Sequence, residues 1–263
     1  IFILVHDTKL YTQANDEQPV EIYNGIANQK VSFFVMNNKC YIMDGTNYLV
    51  YDGTTVSAVV PYVPLLTISN LPAGGGTLLE DFNLLGTGFK ETYTADGTAT
   101  AYQLSLKGLD ATPVTAKVDN VDKVEGTHFT VDRTLGKVTF TTAPPVGTNN
   151  VEIVAHKTFA SFPDQIKKCT FNVLFGGSND TRVFVGGNPI FGNRIWRLGL
   201  NDPTYAPENG FYNVGSDSEK VQGFSKQYDY LVIEKERSKW LMHYDIQGGE
   251  PTFPLKPIND QVG

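Results

Sequence analysis

An all-β fold follows from three features of this 263-residue chain: short β-branched and aromatic runs, turn dipeptides between them, and partial recurrence of that pattern. The runs are clearest between residues 31 and 59. Val31 to Met36, Lys39 to Met43, Tyr48 to Tyr51 and Thr55 to Val59 are strand-like, separated by Asn37-Asn38, Asp44-Gly45 and Asp52-Gly53. Such dipeptides supply the positive φ that a tight hairpin demands, so the segment reads as a four-stranded antiparallel meander. The best helical candidate, Phe162 to Lys168, is only one or two turns long.

The meander recurs in part. In Val5 to Tyr11 and in Val35 to Tyr41, two turn residues precede Lys, an apolar residue and Tyr. Thr170 to Phe175 turns at Gly176-Gly177-Ser178-Asn179-Asp180 into Thr181 to Val185. Val221 to Phe224 leads through Tyr228-Asp229 into Tyr230 to Glu234, then Lys239 to Tyr244. Four strands in a repeat of about 40–50 residues is the pattern of a β-propeller blade, whose sheet must stack on neighbours to cover its faces.

Between the second and third copies the period breaks. Pro61-Tyr62-Val63-Pro64 leads out, Gly74-Gly75-Gly76 reads as a hinge or linker, and Phe162-Pro163-Asp164 leads back. Residues 67–158 are therefore expected to form a separate domain inserted into a propeller-like domain of residues 1–66 and 159–263. Within the insertion, Tyr102 to Leu106, Val114 to Val118, Phe129 to Asp132, Lys137 to Thr141 and Val151 to Ala155 are strand-like. Asp96-Gly97, Asp119-Asn120, Leu135-Gly136 and Pro144 to Gly147 mark its turns, and the spacing suggests an immunoglobulin-like sandwich. The remaining residues make roughly four blades, fewer than most propellers close with. Either further chain completes the ring or the blades form an open, partial toroid.

Composition narrows the function. Lys and Arg number 21 against 28 Asp and Glu, a net charge of −7, which argues against a protein whose whole surface grips nucleic acid. A local basic patch stays open. The length and 41% hydrophobic content exclude disorder and a small disulfide-stapled fold. No apolar run approaches the roughly 18–20 residues that span a bilayer as a helix. Ile1 to Val5 opens the chain without Met, basic residues or a cleavage signal, and reads as a chain cut upstream. Cys40 and Cys169, each following a Lys inside a strand-like run, read as buried free thiols, which suits assembly in a reducing cytoplasm.

Catalytic patterns are sparse. His6, His128, His156 and His243 stand apart without zinc-ligand spacing. The sequence has no Gly-x-Ser-x-Gly elbow and no phosphate-binding loop. Asp44, Asp52, Asp96 and Asp119 each precede Gly or Asn, where turn geometry already accounts for them. Asn179-Asp180, Asn201-Asp202 and Asn259-Asp260 lack the spacing of a calcium loop. No catalytic, cofactor-binding or metal-ligating residue is expected. The most individual stretch runs from Phe175 to Tyr212. There Arg182, Arg194 and Arg197, beside Trp196 and Tyr205, have the chemistry to grip an anionic or planar ligand. Subunit interfaces are also enriched in Arg and aromatics, and the preferred reading places residues 186–215, as a long irregular segment, between subunits.

Asn179 to Phe184, Gly187-Asn188-Pro189, Trp196 and Asp202 to Tyr205, with Val50 to Val56 and Gly215-Ser216-Asp217, resemble a family of structural proteins from the morphogenesis regions of tailed bacteriophages. Ala95 to Thr98 and Phe129 to Phe140 are similar to small β modules of virion proteins. The resemblance spans nearly the whole chain through structural motifs. It implies likeness to the propeller-based tail-nozzle and packaged-DNA-stabilisation proteins that continue the portal channel. The expectation is thus a virion protein of the head-tail connector or tail, assembled in the bacterial cytoplasm as a homo-oligomeric ring contacting portal, connector or tail partners. A net-negative ring would let DNA slide past its wall. The alternative is a tail-associated adhesin recognising a host glycan, with Trp196, Tyr205 and Trp240 as stacking candidates. A third reading, a propeller hydrolase, requires paired carboxylates converging in a channel.

Overall fold

The computed structural model describes residues 2–15, 17–27, 30–176, 179 and 181–259. Ile1, Gly177, Ser178, Asp180 and Asp260 lie outside them, and with them part of the turn expected after Phe175 and part of the Asn259-Asp260 pair. The protein is nearly all β, with several sheets, none of them closed into a barrel or propeller among the described residues. The chain divides into two compact units: Ile1–Val60, Ser161–Ala206 and Gly210–Gly263 form one, and Pro61–Ala160 with Pro207–Asn209 the other.

In the first unit, four antiparallel sheets follow one another along the chain, each with its strands side by side in chain order. The first contains Phe2–His6, Lys9–Gln13 and Val20–Asn24. The second contains Ser32–Met36, Lys39–Met43, Tyr48–Tyr51 and Val56–Ala58. Asn37 and Asn38, at φ 53° and 57°, make its first hairpin, the left-handed pair that matches strand twist. Phe171–Phe175, Arg182–Gly186, Arg194–Arg197 and Phe211–Asn213 make the third. The fourth contains Val221–Gln227, Tyr230–Lys235, Lys239–His243 and Leu255–Asn259, with a two-stranded hairpin, Asp245–Gln247 and Glu250–Thr252, before its last strand. The helix occupies Phe162–Lys167.

Apolar residues at alternate strand positions join these sheets. Leu10 and Ile26 pack with Ile42, Leu49 and Tyr51 of the second sheet. Phe175, Phe184 and Ile195 of the third pack with Leu231, Ile233 and Met242 of the fourth. Each such side chain taken out of water contributes about 1.5–3 kcal/mol. The other face of the second sheet carries Phe34 stacked on Tyr41 at 4.9 Å, and Tyr48 6.0 Å from Tyr41. The Tyr48 hydroxyl donates to the Pro203 carbonyl (2.9 Å), and Asn37 Nδ2 donates to the Asn201 carbonyl (2.8 Å). Residues 186–215 are therefore not one long irregular segment. They hold two strands of the third sheet, and hydrogen bonds anchor the loop between those strands. Cys169 is buried and Cys40 half-buried; both are free, and burial pushes both thiols above their ordinary range.

One buried carboxylate fixes the join between the first two sheets. Asp44 accepts hydrogen bonds from the Ala27 (2.8 Å), Thr46 (2.9 Å) and Asn47 (2.6 Å) backbone N–H groups and from Asn47 Nδ2 (2.8 Å). Asp44→Ala strands these donors and is expected to cost about 2–3 kcal/mol, read as a lower urea midpoint. Asp44→Asn should recover part of the loss.

The second unit has a six-stranded sheet in the order Val121–Lys123, Thr115–Val118, Gly147–His156, Gly88–Ala95, Leu65–Asn70 and Thr77–Leu78. Its Gly88–Ala95 and Leu65–Asn70 strands run parallel and its other pairs antiparallel. Ala101–Gln103, Lys137–Phe140 and Phe129–Asp132 form a three-stranded sheet. Between the two sheets Tyr93 meets Tyr102 edge-on at 5.4 Å, and Tyr102 meets Phe140 likewise at 5.4 Å. The arrangement is sandwich-like. The unit begins at Pro61, six residues before the expected boundary, because Leu65 N–H donates to Glu80 (2.6 Å) and Asn83 Nδ2 to the Tyr62 carbonyl (2.8 Å). Pro207–Asn209 returns to it through Glu208 N–H on the Phe82 carbonyl (2.9 Å). The glycine run, expected as a hinge or linker, is instead a closed turn inside this unit. Gly76 N–H donates to Asn70 Oδ1, and a Cβ there would sit 2.4 Å from both that oxygen and the Ile68 carbonyl.

Candidate functional site

Strand alternation in the third sheet sorts the three candidate arginines onto two faces. Phe175 pairs with Arg182, Phe184 with Arg197, and Ile195 with Tyr212, so these six side chains share a face. Arg194 and Trp196, paired with Asn213 and Phe211, point to the other. The expected cluster of three is thus a pair and a single residue, with the sheet between them.

Arg194 is fully engaged. Its guanidinium lies 3.9 Å above the Phe211 ring and 4.8 Å from that of Phe191, and its Nε donates to Asn213 Oδ1 at 3.2 Å. Burial holds its pKa below the usual arginine range. Trp196 is fully buried, edge-on to Phe191 at 6.0 Å, and offers no face on which a ligand could stack. Tyr205 sits in an ordered turn: its carbonyl accepts from Gly199 N–H (2.8 Å), and Asp202 Oδ1 accepts from the Thr204 backbone (2.9 Å) and hydroxyl (2.6 Å). Trp240 is half-buried against the core, its ring close to Gly215 and its Nε1 donating to Ser238 (3.3 Å). The Asn188 of Gly187-Asn188-Pro189 is buried, donating to the Asp164 and Gln165 carbonyls at 3.0 Å each, which ties the loop to the helix.

Arg182 and Arg197 differ from Arg194. Their guanidiniums lie 5.9 and 5.4 Å from the centre of one ring, Phe253, which follows the Glu250–Thr252 strand. Tyr212 and Tyr244 stand around the same ring at 6.4 and 5.6 Å. The Nε of each arginine is buried and has no hydrogen-bond partner among the described residues. Arg182 is 8% exposed and Arg197 half-buried. Among the described residues neither forms an ion pair with a carboxylate. Burial first, and then the neighbouring Arg197 charge, push the Arg182 pKa down; burial pushes the Tyr212 phenol up.

Phe253, Tyr212 and Tyr244 were not legible as partners of this pair, because they lie in separate stretches of chain that only the fold brings together. A second buried charge was also missed. Glu91 in the second unit is fully buried and accepts from the Tyr93 hydroxyl (2.6 Å), from Ser105 N–H (3.1 Å) and from the Ser105 hydroxyl. Among the described residues no group of three or more His, Cys, Asp or Glu gathers as a metal cage, and no helix is long and apolar enough to cross a membrane. Comparison with known protein families and with curated proteins found no match to this chain.

Proposed function

We propose that this chain is a non-enzymatic structural protein of a tailed-bacteriophage virion, placed in the head-tail connector or tail. Its copies assemble into a ring that retains or conducts DNA and contacts portal, connector or tail proteins, the assembly taking place in the bacterial cytoplasm.

One observation carries the reading. The outermost described strands of the first two sheets expose large apolar side chains at alternate positions: Phe2 (65%) and Leu4 (42%), then Phe33 (38%) and Val35 (62%). An apolar strand at the edge of a sheet invites pairing and is ordinarily covered. A neighbouring subunit would cover both. The succession of blade-like meanders supports a propeller-like architecture left open in this chain. The two-sheet inserted unit supports an immunoglobulin-like module. A net charge of −7 suits a wall that DNA passes without being held.

The flanking genes test the placement. Portal, terminase or tail-measure genes beside this one are expected; an isolated gene encoding a secretion signal upstream of these residues would overturn it.

A further inference from the structure

We propose that Arg182 and Arg197 form an oxyanion-binding site that takes a phosphate or carboxylate group beside Phe253. The inference does not depend on the virion reading. It rests on a contrast within one sheet: Arg194 has its Nε bonded and its plane stacked on Phe211, whereas among the described residues Arg182 and Arg197 have neither a bonded Nε nor a carboxylate partner. A buried cation such as Arg182 is costly without a partner, and Arg197 on the same face, with both guanidiniums within 6 Å of one ring, adds repulsion. The Phe253 ring offsets part of this through its π face but accepts no N–H in the guanidinium plane. Tyr212 and Tyr244 contribute aromatic rings around Phe253. What would satisfy both cations is an acceptor with several lone pairs and a negative charge, the chemistry that forked guanidinium donors match best. Arg197 is only half-buried, so a small anion can reach the pair from solvent.

Thermal unfolding of the full chain, followed by tryptophan fluorescence, tests this in sodium phosphate, sodium glutarate and sodium chloride at equal ionic strength. Phosphate or glutarate at ten times its dissociation constant is expected to raise Tm by about 3–5 °C over chloride. A shift by phosphate alone identifies a phosphoryl ligand. A shift by glutarate alone identifies a carboxylate, such as an acidic side chain of a neighbouring chain. Arg197→Gln should abolish the shift while leaving Tm in chloride no lower than that of the unaltered protein, since one of two facing cations is gone. Arg194→Gln should keep the shift. If neither anion exceeds chloride, or if Arg197→Gln lowers Tm equally in all three salts, the site does not exist and the pair is purely structural.

Discussion

Replacing Phe253 with Ala is expected to cost the first unit about 3–5 kcal/mol, the range for deleting a fully packed aromatic ring. The ring is 3% exposed and touches both sides of its core: it lies 5.2 Å from Phe184 and 6.1 Å from Phe175 in the third sheet, and 5.6 Å from Tyr244 after the fourth sheet's Lys239–His243 strand. It also supplies the only aromatic face over which both Arg182 and Arg197 lie among the described contacts. The truncation therefore removes apolar burial together with the aromatic ring that both guanidiniums approach. Both tryptophans of the chain, Trp196 and Trp240, belong to this unit, so tryptophan emission follows its unfolding alone. A drop in the fluorescence-detected midpoint of about 10 °C is expected. A drop below about 2 °C would mean that Phe253 does not join the two sheets. Phe253→Leu, which keeps most of the volume, should lose less than half as much.

Glu91→Ala is expected to produce a loss of about 3–5 kcal/mol in the second unit, because it strands hydrogen-bond donors built around a buried carboxylate. Tyr93 keeps a second acceptor, the Gln103 carbonyl at 2.9 Å, but Ser105 N–H and its hydroxyl lose theirs. Burial first, and then the Glu91 charge, hold the Tyr93 phenol protonated far above the ordinary tyrosine range, so it remains a donor at every pH the fold survives. Glu91→Gln keeps one acceptor oxygen and should cost only about 1–2 kcal/mol. Hydrogen exchange read by mass spectrometry would localise the effect: protection should fall across residues 65–105, while the tryptophan transition of the first unit stays in place. Equal loss of protection in both units would show that they do not unfold separately.

The strands of the second sheet were legible because hairpin chemistry is local. Asn37-Asn38 needs no distant partner to demand positive φ, and Lys39–Met43 is a short apolar and aromatic run between two turn signals. Gly88–Ala95 was not legible, although it is the centre of the second unit. Its residues, Gly-Phe-Lys-Glu-Thr-Tyr-Thr-Ala, put a Glu on the face it shares with Phe89, Tyr93 and Ala95, and only the fold reveals that Glu91 is buried against Tyr93 and Ser105. The parallel pairing of that strand with Leu65–Asn70 depends on chain crossover and leaves no short-range pattern. At the candidate site, the residue types were visible and their grouping was not. Arg194 and Arg197 are three apart on one strand, an odd spacing that sends them to opposite faces. That much follows from the period of two once the strand is known. The convergence of Arg182 and Arg197 on Phe253 links positions more than fifty residues apart, which only the packing of the third and fourth sheets brings together. Gly74-Gly75-Gly76 misled for the same reason: its composition matches a linker, while the contact that requires Gly76 comes from Ile68 and Asn70 in the folded turn.

Assembly through the exposed edges of the first two sheets is tested most directly by imaging. The purified full-length protein, examined by negative-stain electron microscopy at micromolar concentration, alone and together with the products of its neighbouring genes, is expected to form closed rings of a single subunit number. Phe33→Lys combined with Val35→Lys should disperse them while leaving the tryptophan transition unchanged. Monomers alone, at every concentration and with every neighbour, would contradict it.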